Sequence, residues 1–384
     1  MKRILVFSPV PTHPQSAGHR TRVYSITRCL RALGHKVGFV YLRGMNQHFD
    51  EDLASMKQEF GNDFFVPEFE ERYNGKYHAK CESQYGVDDW YDDRLRRFLC
   101  GACQDWRPDV LWVNYIALSK VLQDYAPACI RVLDTLDVFS HRQQILSKAG
   151  FDSGNWYRFD SVEESKALGR TDLALAITRQ DASQLRRYNR CRVFTIGHLG
   201  HVTPINRFPG CPPTVLYFAS GGEVNAATLN RLCNEVFPLV QQRIPEARLV
   251  IAGKVCGTLT STRSNPELLG QLPSLAGVFA KADVVCNPEI AGSGLSIKNL
   301  TTLSHGIPLV TTEAGMRGFR WGATHGVLVG SSNEQLAEHI IRLLRAHRHR
   351  ATLGAAGLAC MRRYYAAHRR GLLRLNSLLQ GLKA

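Results

Sequence analysis

Residues 282–318 read ADVVCNPEIAGSGLSIKNLTTLSHGIPLVTTEAGMRG, and this stretch decides how the second half of the chain folds. The apolar run before Asn287 and Pro288 predicts a buried strand, after which a loop of small residues leads into a helix that opens near Leu295. Glycines let backbone approach an anion, and the unpaired N–H groups of a helix's first turn point at it. Lys298 adds a positive charge in that turn. The pattern indicates a diphosphate site, with the alternative that the glycines only shape a tight turn and Lys298 faces water.

The same alternation of short apolar strands and helical segments runs along the rest of the chain. It begins with ILVFSP from Ile4 and restarts with TVLYFAS from Thr214, after the proline-rich segment NRFPGCPP. Parallel strands joined by helical crossovers build doubly wound sheets. The fold class is therefore α/β, with two Rossmann-like domains expected to face each other across a cleft at the carboxyl ends of their strands. The predicted boundaries are an N-terminal domain over 1–205, a linker over 206–213, a C-terminal domain over 214–360, and a helix over 361–384 that returns to the first domain.

Length and composition exclude several classes of protein. At roughly 100–200 residues per domain, a chain of 384 residues is too long for a single small domain. Hydrophobic residues make up 44% of the chain and charged residues 21%, which argues against long disordered tracts and fibrous repeats. No apolar stretch approaches the roughly 20 residues that cross a bilayer, and the opening MKRILVFSPVPTHP has too short an apolar run for a signal peptide. We therefore expect a cytoplasmic protein.

The chain is basic, with a formal net charge of +15. This favours an anionic partner, such as a phosphorylated substrate or an acidic lipid surface. Nucleic acid is not expected, because the sequence has no RNP-like aromatic motif, zinc finger or helix-turn-helix signature. Part of the charge lies in helical-looking sequence near the C-terminus, which forms either a solvated helix face or a surface that meets an anionic membrane or the acceptor. The arginines concerned are Arg342, Arg345, Arg348, Arg350, Arg362, Arg363, Arg369, Arg370 and Arg374.

The cysteines indicate reduced, mostly buried thiols. There are 11 of them, an odd number, and they are scattered through a chain without an export signal. Cys100 and Cys103 form the only CxxC motif. A zinc site would need a second ligand pair and a redox site would need the motif at a helix mouth, whereas RRFLCGACQDW is typical of a helix interior.

Two acidic clusters have spacings that metal ligands can have. Asp50 and Asp52 form a DxD motif, but it opens a helix instead of ending a strand, and acidic residues in a first helical turn are expected from the helix dipole alone. The same interpretation applies to the cluster Asp88, Asp89, Asp92 and Asp93. We predict that neither cluster binds metal and that the protein needs no metal or other cofactor.

Residues 282–318 closely resemble the donor-binding region of GT-B glycosyltransferases of the family 4, or group 1, type. The opening SPVPTHPQSAGHRTRV and the later VLYFASGGEVNAATLNRL resemble other segments of that family, and the likeness covers most of the chain except about residues 47–106. The matching positions are Ala282-Asp283-Val284, Pro288, Gly292-Ser293-Gly294-Leu295, Ile297-Lys298, Gly306, Pro308 to Thr312, and Gly318.

The resemblance implies a nucleotide-sugar donor and a set of residues that bind it. One departure concerns the two glutamates, seven residues apart, that many members carry, because those positions here are Ser293 and Thr301. Ribose recognition must then come from the Thr301 hydroxyl, from backbone or from elsewhere, while Glu289 is placed to contact sugar hydroxyls. The predicted donor-binding residues are Gly18, Gly221, Asn225, Glu289, Gly292, Ser293, Gly294, Leu295, Lys298 and Thr301.

The chemistry implied is glycosyl transfer to a hydroxyl acceptor, retaining and metal-independent. The reaction mainly requires stabilisation of the negative charge on the departing diphosphate, and Lys298 with the helix N–H groups is expected to provide it. Arg20, in the first-domain loop, is expected to approach the same phosphate with its bidentate fork. Asp137 and His141 are further catalytic candidates, with helix capping as the alternative for Asp137. The turn Gly197-His198 is interpreted as a simple turn.

Two other functions stay open. A GT-B-shaped nucleotide-sugar epimerase would bind the same donors, and a non-catalytic scaffold or regulatory subunit would keep the fold without the reaction. A dehydrogenase is excluded, because the loop after the first strand holds one glycine where the GxGxxG motif needs three. The acceptor is expected to be a glycan, a lipid-linked glycan or a protein, and the resemblance implies a role in bacterial surface glycan or glycoconjugate assembly, in the cytoplasm or at the inner face of the plasma membrane.

Overall fold

The strands predicted from apolar runs form two separate parallel sheets. The protein is described here by a computed structural model, which covers residues 1–43, 51–67, 86–124, 129–151, 158–208, 211–319 and 326–382. Within these residues, seven parallel strands form the first sheet in the order β3-β2-β1-β4-β5-β6-β7. They are β1 (Arg3–Ser8), β2 (Lys36–Tyr41), β3 (Phe64–Phe65), β4 (Val110–Asn114), β5 (Ile130–Asp134), β6 (Leu173–Ala176) and β7 (Arg192–Thr195).

Helices alternate with the parallel strands of this first sheet along the described chain. The first connection, α1, carries Val23, Ile26 and Leu30 on one buried face, which is the spacing of three and four seen in the sequence. The helices are α1 (Gly18–Ala32), α2 (Leu53–Phe60), α3 (Asp93–Trp106), α4 (Lys120–Asp124), α5 (Phe139–Lys148), α6 (Ser161–Leu168) and α7 (Arg179–Tyr188).

The second sheet repeats this plan. Six parallel strands of the described chain follow the order β10-β9-β8-β11-β12-β13, and Val284 and Val285 of β11 pair with Val215 and Leu216 of β8. The strands are β8 (Thr214–Phe218), β9 (Arg248–Ala252), β10 (Glu267–Leu268), β11 (Val284–Asn287), β12 (Leu309–Thr311) and β13 (Val327–Val329). The helices are α8 (Glu223–Arg231), α9 (Phe237–Arg243), α10 (Ala276–Phe279), α11 (Ile297–Ser304), α12 (Asn333–Arg345) and α13 (His347–Gly381).

The central strands are apolar because helices cover both of their faces. All five residues of β4 and of β8 are buried, and the strands of each sheet contribute to one hydrophobic cluster on each side. The predicted α/β class with two doubly wound parallel sheets is confirmed.

The chain divides into two compact units. The first comprises Met1–Gln144, Asp152–Leu199 and Ala367–Ala384, and the second comprises Ile145–Phe151 and Gly200–Ala366. Helix α13 is continuous from His347, so its beginning belongs to the second unit and its end to the first.

The segment after Leu199 runs along the second unit. The backbone N–H of Thr203 donates to Ser304 O at 2.9 Å, and that of Phe208 donates to Ala280 O at 2.7 Å. Arg207 donates to Asp283 Oδ2 at 2.8 Å. The proline-rich stretch predicted as a linker is thus tied by hydrogen bonds to the second unit on its described side, while residues 209–210 lie outside the described residues.

Several local expectations differ from the structure. Helix α11 begins at Ile297, two residues later than predicted, and a π-helical segment, Leu232–Val236, lies between α8 and α9. The described residues between β2 and α3 include α2 and the short edge strand β3. Among the described helices, none is both long enough and apolar enough to cross a membrane.

Candidate functional site

The second sheet has a topological switch point between β8 and β11. Strand order runs outward in opposite directions from this pair, so the loops that follow the two strands diverge and leave room between them. The loop after β8 is Ala219–Gly222, and the loop after β11 is the small-residue loop, residues 288–296. The stretch singled out in the sequence therefore ends at the place where open α/β sheets bind ligands.

Lys298 joins the helices that follow these two loops. It is the second residue of α11, and its Nζ donates to Asn225 Oδ1, on α8, at 2.9 Å. The same Nζ lies 5.3 Å from the centre of the Tyr217 ring, in reach of a cation–π interaction. Asn225 is itself held, because its Nδ2 donates to Ser220 O at 3.1 Å and Gly221 O at 3.3 Å. The alternative that Lys298 simply faces water is wrong.

The surroundings of Lys298 perturb its ionisation. Burial lowers the pKa of Lys298 below its ordinary value, the carboxylate of Glu289 opposes this shift, and the positive charge of Arg317 adds to it. Burial also raises the pKa of Tyr217 well above its ordinary value, so the phenol stays protonated beside the ammonium group. A charged lysine with little water around it interacts strongly with an incoming anion.

The small-residue loop has a backbone that glycine makes possible. Gly292 has φ 150° and Gly294 has φ 66°, both in the region that other residues rarely adopt. Ser296, which precedes α11, makes no side-chain capping hydrogen bond to the helix. The first turn of α11 is therefore not capped by that side chain and stays available to an anion.

A buried polar network holds this loop from below. Asn287, at the end of β11, donates from Nδ2 to Glu289 Oε2 at 3.1 Å and to Asn299 Oδ1 at 2.9 Å. Asn299 in turn donates to Gly315 O at 2.7 Å. These side chains link the loop after β11, helix α11 and the loop after β12, so the loop's shape is defined before any ligand arrives.

Glu289 and Arg317 form an ion pair beside the loop. Arg317 Nη2 lies 3.4 Å from Glu289 Oε1, and the two side chains are 20% and 11% exposed. Sequence analysis did not select Arg317, Tyr217, Asn287 or Asn299. A signal existed for Asn287, since a polar residue ends an otherwise apolar strand.

The remaining predicted donor-binding residues lie around the same loops. Gly221 is exposed in the loop after β8, Ser293 is partly exposed in the small-residue loop, and Leu295 packs against the hydrophobic cluster beneath it. The Thr301 hydroxyl donates to Ile297 O at 2.9 Å within its own helix. A ribose oxygen that accepted from this hydroxyl would compete with Ile297 O for the same proton.

Gly18 and Arg20 lie in the first unit, at the start of α1. Gly18 is the first residue of the helix, and Arg20 is 2% exposed, with Nη1 donating to Pro14 O at 3.3 Å. Arg20 is therefore a buried side chain of the first unit.

Asp137 and His141 also lie in the first unit, at the start of α5. Asp137 Oδ1 accepts from the Val138 N–H at 2.9 Å, which is local backbone bonding of the type that favours a helix start. His141 is the third residue of α5 and is half-buried. Asp137 and His141 thus both lie at the start of α5 in the first unit, whereas Lys298 lies in the second unit.

The first unit also contains a buried polar cluster that sequence analysis missed in part. Arg22 forms an ion pair with Asp134 at 2.9 Å and donates to Ile196 O at 2.7 Å. Burial, with a contribution from the charge of Arg22, lowers the pKa values of His198 and His368 to about 4. The turn at Gly197 is held in place, because its N–H donates to His368 Nδ1 at 2.9 Å.

The acidic clusters are used in local structure. Asp52 caps α2 by accepting from the Ser55 N–H at 2.9 Å, and Asp50 lies outside the described residues. Asp92 caps α3, and Asp88 pairs with Lys166 at 2.6 Å. Within the described part of the chain, no group of three or more His, Cys, Asp or Glu side chains is placed to hold a metal ion. Metal independence stays a prediction.

Comparison with known families identifies the second unit. The family described as Glycosyl transferases group 1 matches residues 212–346, which run from β8 to α12 and include the small-residue loop and Lys298. Residues 212–346 therefore match a group 1 glycosyltransferase domain, and the predicted class of enzyme, a glycosyltransferase, is confirmed. The finer assignment to family 4 stays a prediction.

Solved structures share the fold over nearly the whole chain. HepE from Anabaena, solved with UDP and glucose, has a TM-score of 0.66 at 13% identity, with 100% of both chains covered. Sucrose-phosphate synthase from Thermosynechococcus elongatus has a TM-score of 0.68 at 14% identity, with 99% of this chain and 98% of that chain covered. TarM from S. aureus has a TM-score of 0.70 at 10% identity, with 99% of each chain covered. The GT-B architecture is thereby confirmed, and no curated protein sequence matches the chain.

Proposed function

We propose that the protein transfers a sugar from a nucleotide-sugar donor to a hydroxyl acceptor, with retention of anomeric configuration and without metal. The observation that carries this proposal is the placement of Lys298 at the switch point of the matched domain, bonded to Asn225 and next to the glycine loop before α11. A cation, a helix start without a side-chain cap and the glycine turn Gly292–Gly294 together suit a diphosphate.

The site's contribution to the reaction is electrostatic. Cleavage of the bond between the anomeric carbon and the phosphate oxygen leaves negative charge on the diphosphate, and Lys298 with the α11 N-terminus is placed to stabilise it. In the retaining reaction the departing phosphate oxygen takes the acceptor's proton, so the chain need not supply a separate base. Asp137, His141 and Arg20 are proposed to act from the first unit, on the acceptor or on the phosphate.

The donor is proposed to be a nucleoside diphosphate sugar. HepE was solved with UDP and glucose, and TarM with UDP, which makes UDP-sugars the first to test. A panel of UDP-, GDP- and dTDP-sugars, screened by thermal shift, identifies the nucleotide by the largest rise in Tm.

Replacing Lys298 by alanine tests the proposed function. Loss of a charge-assisted contact costs about 1.5–3 kcal/mol, so Lys298→Ala should lower kcat/KM roughly ten- to 150-fold, with part of the loss in kcat because leaving-group charge grows as the bond breaks. Lys281→Ala is the matched control, since Lys281 is an exposed lysine of the same unit. Wild-type turnover by a folded Lys298→Ala variant would place the diphosphate elsewhere.

Two further assays address the mechanism and the alternatives. Transfer in excess EDTA should equal transfer with Mg²⁺, and a tenfold loss restored by metal would contradict metal independence. Donor hydrolysis without acceptor would exclude a non-catalytic scaffold, and release of an epimerised donor would identify an epimerase.

A peripheral contact with an anionic membrane is proposed for the exposed side of α13, on the cytoplasmic face, with a role in bacterial surface glycan assembly. The sequence of α13 contains no acidic residue. The helix exposes Leu373, which is 48% exposed, and the arginines Arg362, Arg363, Arg370 and Arg374. Each arginine near an anionic surface contributes about 1 kcal/mol.

Cosedimentation with vesicles tests this membrane contact. Binding to phosphatidylcholine vesicles should require added phosphatidylglycerol, and the binding should be weaker for Arg370→Glu. Equal binding to both vesicle types would contradict the proposal.

A further inference from the structure

We propose that Arg317 is a second cationic ligand of the donor's diphosphate, acting on the small-residue loop together with Lys298. This inference rests on the proposed function, because it assigns a further residue to the same site. Arg317 comes from a different element, the loop after β12, and its position follows from the fold of the second unit.

The first support is the position of the guanidinium group. Arg317 packs directly on the loop, since a Cβ added at Gly292 would collide with Arg317 Nη2 and would lie 2.9 Å from Glu289 Oε1. The absence of a side chain at Gly292 therefore makes room for the guanidinium at the loop through which the anion is proposed to enter. Any residue but glycine at this position would displace Arg317.

The second support is the charge around Lys298. The positive charge of Arg317 contributes to the lowered pKa of Lys298, so the two cations lie within electrostatic range of each other, with Glu289 as the carboxylate that offsets them. Two like charges held close together raise the free energy of the ligand-free site, and a dianionic ligand between them relieves the repulsion. The loop after β8, Ala219–Gly222, contains no lysine or arginine of its own.

The third support is the geometry of the Glu289–Arg317 pair. Its N···O distance of 3.4 Å is long for a charge-assisted hydrogen bond, and the other Glu289 oxygen is bound to Asn287. A guanidinium carries five N–H donors in a planar fork, which suits phosphate oxygens, and the Arg317 side chain is 20% exposed. Glu289 thus contacts the partly exposed guanidinium through one of its two carboxylate oxygens.

The test measures binding of nucleosides that differ only in their phosphates. Uridine and UDP, or the corresponding pair for the nucleotide selected by thermal shift, are titrated calorimetrically into wild type, Arg317→Gln, Arg317→Lys and Lys298→Ala. Arg317→Gln should weaken the diphosphate by about tenfold or more and leave the nucleoside within about twofold. Arg317→Lys should restore part of the loss. Arg263→Ala, an exposed arginine of the same unit, should bind both like wild type.

The outcomes separate this inference from the proposed function. If Lys298→Ala loses diphosphate affinity and Arg317→Gln does not, Arg317 is not a ligand and the function stands. If neither variant changes diphosphate affinity, the proposed site itself is wrong. Equal losses for nucleoside and diphosphate would mean that Arg317 only supports the fold of the loop. Should Arg317→Gln unfold, Arg317→Lys supplies the comparison: weaker binding of UDP with unchanged binding of uridine supports the inference, because an ammonium group lacks the planar fork, and wild-type affinity for both contradicts it.

Discussion

At the scale of single residues, the proposed diphosphate site depends on its glycines as much as on its cationic side chains. Gly294, with φ 66°, turns the chain into α11 in a backbone conformation that costs other residues about 1–2 kcal/mol. Lys298 follows that turn by four residues, in the first turn of α11. Under the proposed function, the glycines and the lysine act together as one anion-binding arrangement.

Gly294→Val should damage donor binding more than stability. A β-branched residue at positive φ is strained, and its methyl groups would stand where an anion approaches the backbone. We expect about 1–2 kcal/mol loss in the free energy of unfolding and at least about tenfold weaker donor binding, measured by denaturation and calorimetry.

Gly277→Val provides the control for this glycine substitution. A Cβ added at Gly277 meets no heavy atom within 4 Å, and its φ is not positive. Donor affinity should therefore stay at the wild-type level in Gly277→Val. A Gly294→Val variant that binds donor normally would show that the turn does not line the anion site.

At the scale of elements, the start of α5 is held by a buried carboxyl group. Glu164, on α6, is 0% exposed and accepts from the Phe139 N–H at 2.6 Å and from the Ser140 hydroxyl. Burial raises the pKa of Glu164 to about 7, and the nearby charge of Asp137 adds to the shift. The helix that carries His141 is therefore positioned by a group that titrates near neutral pH.

Glu164→Gln should flatten the dependence of stability on pH. Between pH 4.5, the ordinary pKa, and about 7, folded Glu164 keeps a proton that the unfolded chain has lost, so the folded state is destabilised as pH rises through this window. Glutamine resembles the protonated carboxyl group but does not titrate, so the variant does not undergo this pH-dependent loss of stability. The difference in unfolding free energy between variant and wild type should grow by on the order of 1–3 kcal/mol from pH 4.5 to 7.

Denaturation at a series of pH values measures this difference. The lowered pKa values of His198 and His368 make stability rise with pH in the same range. Both histidines are present in wild type and in Glu164→Gln, so their effect cancels in the difference between the two. Parallel stability curves for Glu164→Gln and wild type would mean that Glu164 has the same pKa in the folded and unfolded states.

At the scale of the whole molecule, one helix completes both units. The last part of α13 belongs to the first unit, where Leu372, Leu375 and Leu379 share a hydrophobic cluster with Ile4 and Val6 of β1. Strand β1 and the end of α13 are therefore packed in one core, and we expect the end of α13 to stabilise the first unit.

Two leucines of α13 form a matched pair for testing this. Leu375 is 0% exposed and Leu373 is 48% exposed. Leu375→Ala should lower the free energy of unfolding by about 2–5 kcal/mol through lost burial and a cavity, whereas Leu373→Ala should change it by less than about 0.5 kcal/mol. Equal effects in chemical denaturation would contradict the assignment of α13 to this core.

Periodicity and glycine placement predicted much of this protein from the sequence. Apolar runs identified the main strands of both sheets, and the stretch from Ala282 to Gly318 placed a strand, a small-residue loop and Lys298 in the first turn of a helix, where the structure has them. These features depend on neighbours along the chain, so local sequence suffices to predict them.

The contacts that complete the site were decided by tertiary structure alone. Lys298 and Asn225 are 73 positions apart, Arg317 and Glu289 are 28 apart, and Arg22 and Asp134 are 112 apart. Each pair meets because of the order in which strands assemble into a sheet, which no local pattern encodes. The sequence by itself therefore determined the elements and the position of the lysine, while strand order determined which side chains hold it, because hydrogen bonds and ion pairs act only between groups that the folded sheet brings within a few ångströms.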